Sequence, residues 1–235
     1  MRLLRSYCFL LLVLPFLVSC AGMAKNPDDP WEDFNRKTFA LNEGLDAYLL
    51  KPVAQAYDAV APSPIRVGVS NFFANLGDVW VAANNLLQGK PQTAASDLGR
   101  FAINSTIGVF GLIDVASAAG LDKHKEDFGQ TLAVWGVGNG PYVVLPLLGP
   151  RTLRDSAGFL FDYEADLLSL TVPVSTRNSL SALRLVDIRA ELLPAEKVLE
   201  QAALDKYSYL RSMYLQRRRS LIYDGKPPRE DFFDE

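Results

Sequence analysis

The chain has 235 residues, a formal net charge of −3, two cysteines and a single histidine. That length is ample for one large domain with a buried core. The mild acidity argues against nucleic acid as a partner, and one histidine leaves a zinc site short of its usual ligands, so no metal is expected.

The N-terminus sets the compartment. Arg2 and Arg5 precede the apolar run Tyr7–Val18, which Pro15 interrupts. A basic start and a short apolar run make an export signal, too short for a spanning helix of roughly 20 residues. Leu17-Val18-Ser19-Cys20 resembles a bacterial lipobox, which implies a signal peptide over residues 1–19, cleavage before Cys20 and acylation of that cysteine; a plain secretory signal is the alternative. Ala21, in place of aspartate, fits sorting onward to the outer membrane. Loss of Arg2 and Arg5 takes the formal charge from −3 to −5, and loss of Cys8 leaves no thiol outside the anchor. Carboxylate-only chemistry aside, the residues argue against an enzyme: a serine–histidine triad would have to use His124, which sits in a charged run with no Gly-x-Ser-x-Gly near any serine.

Most of the remainder reads as short helices. Asp29 is expected to cap the first, with Pro30 at its first position and Glu32 completing a capping box. Trp31, Phe34, Leu41, Leu45 and Tyr48 form one apolar face, and Pro52 is expected to kink or stop the helix. Ala61-Pro62-Ser63-Pro64 is a break with Ser63 as cap; a helix through Leu76 follows, then another over Asp78–Gln88 ending at Gly89. A helix from Pro91 to Ile107 comes next, then a turn at Gly108 and Gly111 into a small-residue helix reaching Gly120. Later helices are expected over Arg151–Phe161 and Asn178–Leu193, with Pro194 starting the longest one, to Tyr223. Residues 20–223 make the helical domain, and 224–235 an acidic, proline-containing tail with a disordered composition. Arg217-Arg218-Arg219 suits a helix C-terminus, with anionic headgroups as the other reading.

Two features stand apart. The first is the stretch from Glu126 to Asp155, where Gly136, Gly138 and Gly140 alternate and Pro141, Pro146 and Pro150 follow. No regular helix runs through both sets, yet Val134, Trp135, Val137, Tyr142, Val143 and Val144 between them are apolar. Such a loop packs into protein or faces something other than water. Gly136, Gly138, Gly140, Pro141 and Tyr142 are candidates for a gate, with a fixed turn as the plainer alternative. The second feature is the asparagines Asn71, Asn75, Asn84, Asn85 and Asn104, which lie in apolar helical stretches where asparagine is a poor choice. Each either bonds a neighbouring turn or, as is considered for Asn71, Asn75, Asn84 and Asn104, faces a wet passage inside helices with apolar outer faces.

A family resemblance runs through these segments. Asn26-Pro27-Asp28-Asp29-Pro30-Trp31-Glu32-Asp33-Phe34-Asn35-Arg36 resembles the opening motif of the outer-membrane phospholipid-transport lipoproteins called MlaA or VacJ. Leu50-Lys51-Pro52-Val53-Ala54, Asn71-Phe72-Phe73-Ala74-Asn75-Leu76, Leu86-Leu87-Gln88-Gly89-Lys90, Glu126-Asp127-Phe128-Gly129-Gln130-Thr131, Gly140-Pro141-Tyr142 and Arg154-Asp155 continue it in order to about Asp162. Ala133 departs from the pattern, standing where glycine is expected.

The resemblance implies an all-α, ring-like bundle of short amphipathic helices around a central amphipathic channel. It implies a lipoprotein seated in the outer membrane, facing the periplasm, that removes misplaced phospholipid from the outer leaflet and hands it to a soluble periplasmic carrier, with a trimeric porin as neighbour and no cofactor. The alternative is a structural lipoprotein that scaffolds a porin complex without passing lipid.

Overall fold

A computed structural model describes residues 26–229 apart from Asp28 and Ala203. The signal segment, Cys20 and the acidic run 230–235 lie outside the described residues.

Helix α1 (Glu32–Leu45) starts after Trp31 with no side-chain cap. Asp29, the expected cap, is drawn instead into the interior. Its carboxylate accepts from Asn35 Nδ2 at 2.8 Å, from the Tyr207 hydroxyl at 2.5 Å and from Arg211 at 2.7 Å. Pro52 does not stop the chain. A π turn (Asp46–Leu50) leads straight into α2 (Lys51–Val60), and the Lys51 N–H reaches back to the Asp46 carbonyl. The wider turn shifts the bonding pattern by one residue, so the helix crosses a position that has no N–H to give.

Helix α3 (Ser63–Leu87) is one element of 25 residues rather than two, about 38 Å long at 1.5 Å per residue. Gly77 sits inside it with open space around its Cα, so nothing forces a break there. Pro62, not Ser63, precedes its first turn. Gly89, at φ +77°, ends it as read from the sequence, with Lys90 N–H bonded to the Asn85 carbonyl at 2.8 Å. Helix α4 (Pro91–Thr106) folds back against α3. Short helices α5 (Val115–Ala118) and α6 (Phe128–Val134) follow, capped by Asp114 and Asp127.

The apolar glycine–proline stretch contains a hairpin where its composition predicts a loop. Strands β1 (Tyr142–Leu145) and β2 (Gly149–Thr152) pair antiparallel, Tyr142 opposite Thr152 and Leu145 opposite Gly149. Helix α7 (Leu153–Ala165) then starts from the Thr152 cap. Beyond a 3₁₀ turn at Leu167–Leu170, α8 (Val174–Ala202) carries Pro194 in its interior, and α9 (Lys206–Ile222) begins after Asp205. The last boundary therefore falls some ten residues beyond Pro194, where Asp205 accepts from the Tyr207 N–H.

The contacts close into a circuit: α1 on β1, β2 on α9, α9 on α6, α6 on α3, α3 on α8, α8 on α2, and α2 through the π turn to α1. Its interior is mixed: Phe73, Tyr142, Val144 and Leu168 are buried together with many polar side chains. The largest fully buried side chains include Arg100, Gln130, Asn35, Asn84, Asn85, Asp29, Asp78 and Asp97. Exposed side chains include Phe34, Leu41, Tyr48, Leu49, Val60, Ile65, Ile107, Phe110, Phe161, Leu170 and Val172. Buried charge is costly unless paired. Here Arg100 grips both Asp114 oxygens at 3.0 Å, and Asn104 donates to the same carboxylate. Among the described residues no helix is long and apolar enough to cross a membrane.

Candidate functional site

Helix α9 is fixed to the rest of the circuit by a polar anchor. Arg218 ion-pairs with Asp127 through both guanidinium nitrogens and with Asp155 at 2.9 Å. Asp155 also pairs with Arg154 at 3.0 Å and accepts from the Tyr214 hydroxyl at 2.6 Å. Arg154-Asp155 is thus a buried structural pair, and Arg218, within the arginine triplet, faces inward rather than toward headgroups. Burial opposes ionisation of Asp127, but its bonds to Arg218 prevail and hold the carboxyl below the ordinary range. The anchor needs glycine at two neighbouring positions. A Cβ on Gly129 would lie 2.5 Å from Arg218 Nη2, and one on Gly158 would lie 2.5 Å from the Gly129 nitrogen.

Two clefts flank this helix. The first, of about 630 Å³, opens between the glycine loop and the end of α9, with Gly136, Val137, Gly138 and Asn139 on one side and Leu215, Arg219 and Tyr223 on the other. The second, of about 410 Å³, lies between α1, α8 and α9. Apolar Leu192, Leu199, Tyr209, Leu210 and Met213 share its lining with the charged Glu43, Asp46, Arg189, Glu196 and Lys206. The charges are matched: Arg189 holds both Asp46 oxygens at 2.6 Å and Glu196 at 2.6 Å, and Lys206 pairs with Glu43. The Asp46 bonds, against burial, raise the Arg189 pKa, so it stays charged. Such a cleft suits an amphipathic molecule, with an acyl chain along the leucines and a zwitterionic head at the ion pairs. Among the described residues no group of histidine, cysteine and carboxylate side chains is arranged to hold a metal ion.

The gate candidates divide. Gly136 and Gly138 line the first cleft on an exposed loop. Gly136, at φ +90°, and Gly140, at φ +63°, occupy left-handed backbone, whereas Gly138 does not and has open space where a Cβ would go. Pro141 is half-buried, its carbonyl accepting from the Leu153 N–H at 3.0 Å. Tyr142 is a core residue, 2% exposed, packed edge-on to Tyr207 and Tyr214. Trp135 fastens the loop's start, its indole N–H donating to the Leu87 carbonyl at 3.0 Å.

The asparagines resolve as ties. Asn84 donates to the Trp80 carbonyl and accepts from Thr131 at 2.7 Å; Asn75 donates to Ser105 at 2.9 Å; Asn104 joins Asp114 to the Ala116 N–H. With Asn75, Asn84 and Asn104 at 3% exposure or less, these three have no surface to offer a passage. Asn71 keeps partial exposure and donates to the Leu112 carbonyl at 3.2 Å. Asn35, part of the opening motif, and Asn42, which no sequence motif marks, sit seven residues apart on α1 and clamp the hairpin. Asn35 takes the Tyr142 carbonyl and the Val144 N–H, and Asn42 takes the Leu145 carbonyl and the Leu147 N–H. That seven-residue spacing, two helical turns on one face, was the available signal.

Comparison with known proteins agrees with this architecture. A profile described as MlaA lipoprotein matches residues 27–221. The Escherichia coli (strain K12) protein named intermembrane phospholipid transport system lipoprotein MlaA is 38% identical over 218 residues, covering 89% of this chain and 86% of its own. The Haemophilus influenzae protein of the same name is 33% identical over 223 residues, covering 89% and 88%. A solved structure, described as the structural basis for maintenance of bacterial outer membrane lipid asymmetry, matches with a TM-score of 0.72 at 37% identity, over 83% of this chain and 98% of that one. With the profile spanning nearly the whole helical circuit and relatives matched over almost nine-tenths of its length, the chain belongs to the MlaA lipoprotein family.

Proposed function

We propose that the protein is a lipoprotein of the intermembrane phospholipid transport system, acting in the maintenance of outer-membrane lipid asymmetry. It removes mislocalised phospholipid from the outer leaflet and passes it through the ring to a soluble periplasmic carrier. It is lipid-anchored through Cys20, periplasm-facing, and seated beside a trimeric porin. The observation that carries this reading is the pairing of buried ion pairs with many exposed leucine, isoleucine, valine and phenylalanine side chains. Apolar exterior gains nothing in water and is at home in hydrocarbon. The amphipathic clefts on either side of α9 supply the path. In this reading the transfer is passive, an amphipathic molecule moving along clefts lined by both apolar and charged side chains.

Two measurements test it. Protein extracted in mild detergent should carry co-purifying phospholipid, and Cys20→Ala should lose fatty-acid labelling. Lipid-free protein, or labelling unchanged by Cys20→Ala, would contradict the reading. Porin association without lipid would favour a scaffold instead.

A further inference from the structure

The two clefts beside α9 differ in charge. In the second, the carboxylates Glu43, Asp46 and Glu196 accompany the cations Arg189 and Lys206. In the first, the charged side chains among the described lining residues are Arg154 and Arg219, and no carboxylate joins them. Asp155, the partner of Arg154, is buried and stands outside that lining. The cleft therefore meets a guanidinium and not its counter-charge. Arg154 is 5% exposed. Its Nε and Nη2 donate to Asp155 Oδ1 at 3.2 and 3.0 Å, and Nη1 reaches the Val137 carbonyl at 3.4 Å. A guanidinium has more N–H groups than these bonds use, so donors remain on a buried side chain that lines the cavity. Across from the glycine loop, half-buried Arg219 keeps one bond, from Nη2 to the Pro228 carbonyl at 2.8 Å.

The glycine loop adds donors of its own. Two of its carbonyls are taken by Arg154: Val137 by Nη1, and Asn139 by the Arg154 N–H at 3.1 Å. The N–H groups of Gly138 and Asn139, both lining residues, have no protein acceptor among the described residues. Successive free N–H groups beside cationic side chains make the kind of concavity that holds anions. The rest of the lining includes the apolar Val137, Leu215 and Ile222.

We propose that the first cleft is a phosphate-binding subsite for the head of a net-anionic lipid, with Arg154 and Arg219 as its cationic ligands and the Gly138 and Asn139 amides as further donors. A guanidinium matches phosphate oxygens in pairs. An ammonium would meet no opposite charge in this lining, so a head whose only charge is its phosphate fits better than a zwitterionic one. The apolar side chains favour a lipid phosphate over the free ion. The volume of about 630 Å³ admits a head with the start of its chains, being within the roughly 300–1,000 Å³ of pockets that enclose small ligands. The inference rests on the transport reading above and adds the class of head that this cleft takes.

The test mixes the full lipidated chain, in detergent, with equal amounts of phosphatidylglycerol and phosphatidylethanolamine of matched acyl chains, and counts bound lipid by native mass spectrometry. Arg219→Gln should lower phosphatidylglycerol retention about ten-fold, the scale of one charge-assisted hydrogen bond, and leave phosphatidylethanolamine retention unchanged. Arg217→Gln removes the same charge from an exposed position outside the lining and should change neither. If Arg219→Gln lowers both lipids together or neither, or if Arg217→Gln acts equally, the subsite is overturned and the transport reading stands. Folded wild-type protein that retains neither lipid would overturn both. Displacement of phosphatidylglycerol by an equal concentration of inorganic phosphate would overturn the lipid source. Gly138→Trp tests the cleft from its other wall, where a Cβ has open space. It should lower phosphatidylglycerol retention at unchanged melting, and undiminished retention would overturn the proposal even if Arg219→Gln fails to fold.

Discussion

Asn35 in α1 and Val144 in β1 stand 109 residues apart and are joined by a 2.8 Å bond from the Val144 N–H to Asn35 Oδ1. The same amide donates to the Tyr142 carbonyl at 3.1 Å, so one side chain takes the place of a third strand on the hairpin edge. It also donates to Asp29, which holds Tyr207 and Arg211 of α9. One asparagine thus links the first helix, the hairpin and the last helix, which closes the circuit.

Replacing Asn35 by alanine should therefore be severe. It leaves a buried N–H, a carbonyl and one Asp29 bond without partners, each worth about 1–3 kcal/mol, so a loss of roughly 3–5 kcal/mol is expected. Asn42→Ala, at a partly exposed site, should cost about 1 kcal/mol. Denaturant unfolding in detergent measures both; equal, small effects would mean that the clamp is redundant.

The glycines should separate by backbone angle. Gly140 combines φ +63° with a Cβ position 3.0 Å from Leu153 Cβ, so Gly140→Ala should destabilise by about 1–2 kcal/mol. Gly138 has neither constraint, and Gly138→Ala should be close to neutral in thermal melting. A bulky Gly138→Trp should instead project into the first cleft and slow lipid transfer at unchanged stability. Destabilisation by Gly138→Ala exceeding that of Gly140→Ala would contradict this assignment.

Acid should act through two opposed sets of carboxyls. Asp127 has a lowered folded pKa, burial being outweighed by Arg218, so its stabilisation is complete above the unfolded carboxylate value of about 4 and lost as pH falls through the lower folded value. Asp78, Glu126 and Asp162 are raised by burial, so protonating them favours the folded state as pH falls from their raised values toward about 4. Stability should hold or rise on mild acidification and drop below about pH 4. Asp127→Asn should lower stability at neutral pH and shallow the acid drop; an unchanged acid limb would show that the Arg218 pair contributes nothing measurable.

Truncation after Gly225 should leave folding and transfer nearly intact. Of the contacts around the tail, Asp224 with Lys90 at 2.7 Å survives the cut, and the exposed bond from half-buried Arg219 to the Pro228 carbonyl is lost. Exposed pairs and bonds of this kind contribute about 0–1 kcal/mol. A fall of many degrees in melting temperature would show that the tail packs on the ring.

Much of this arrangement is legible in the residues themselves. The motif series, the Pro91 start and the Gly89 stop are local chemistry, and the structure keeps them. What the sequence hides is pairing at a distance. Asp29 reads as a cap until Tyr207 and Arg211 are brought to it, and Asn84 reads as channel lining until Thr131 closes on it. Strands of four residues among Pro146, Gly149 and Pro150 carry no alternation to mark them, because β1 is buried at three consecutive positions. The π turn before Pro52 and the unbroken run past Pro194 are tertiary choices, made where α1, α2 and α8 pack.

The most direct test is transfer itself. Protein reconstituted in vesicles containing fluorescent phospholipid, then mixed with the proposed soluble periplasmic carrier, should load that carrier at a rate that Gly138→Trp reduces several-fold at unchanged folding. A carrier that stays empty beside folded, vesicle-bound protein would contradict the transport account.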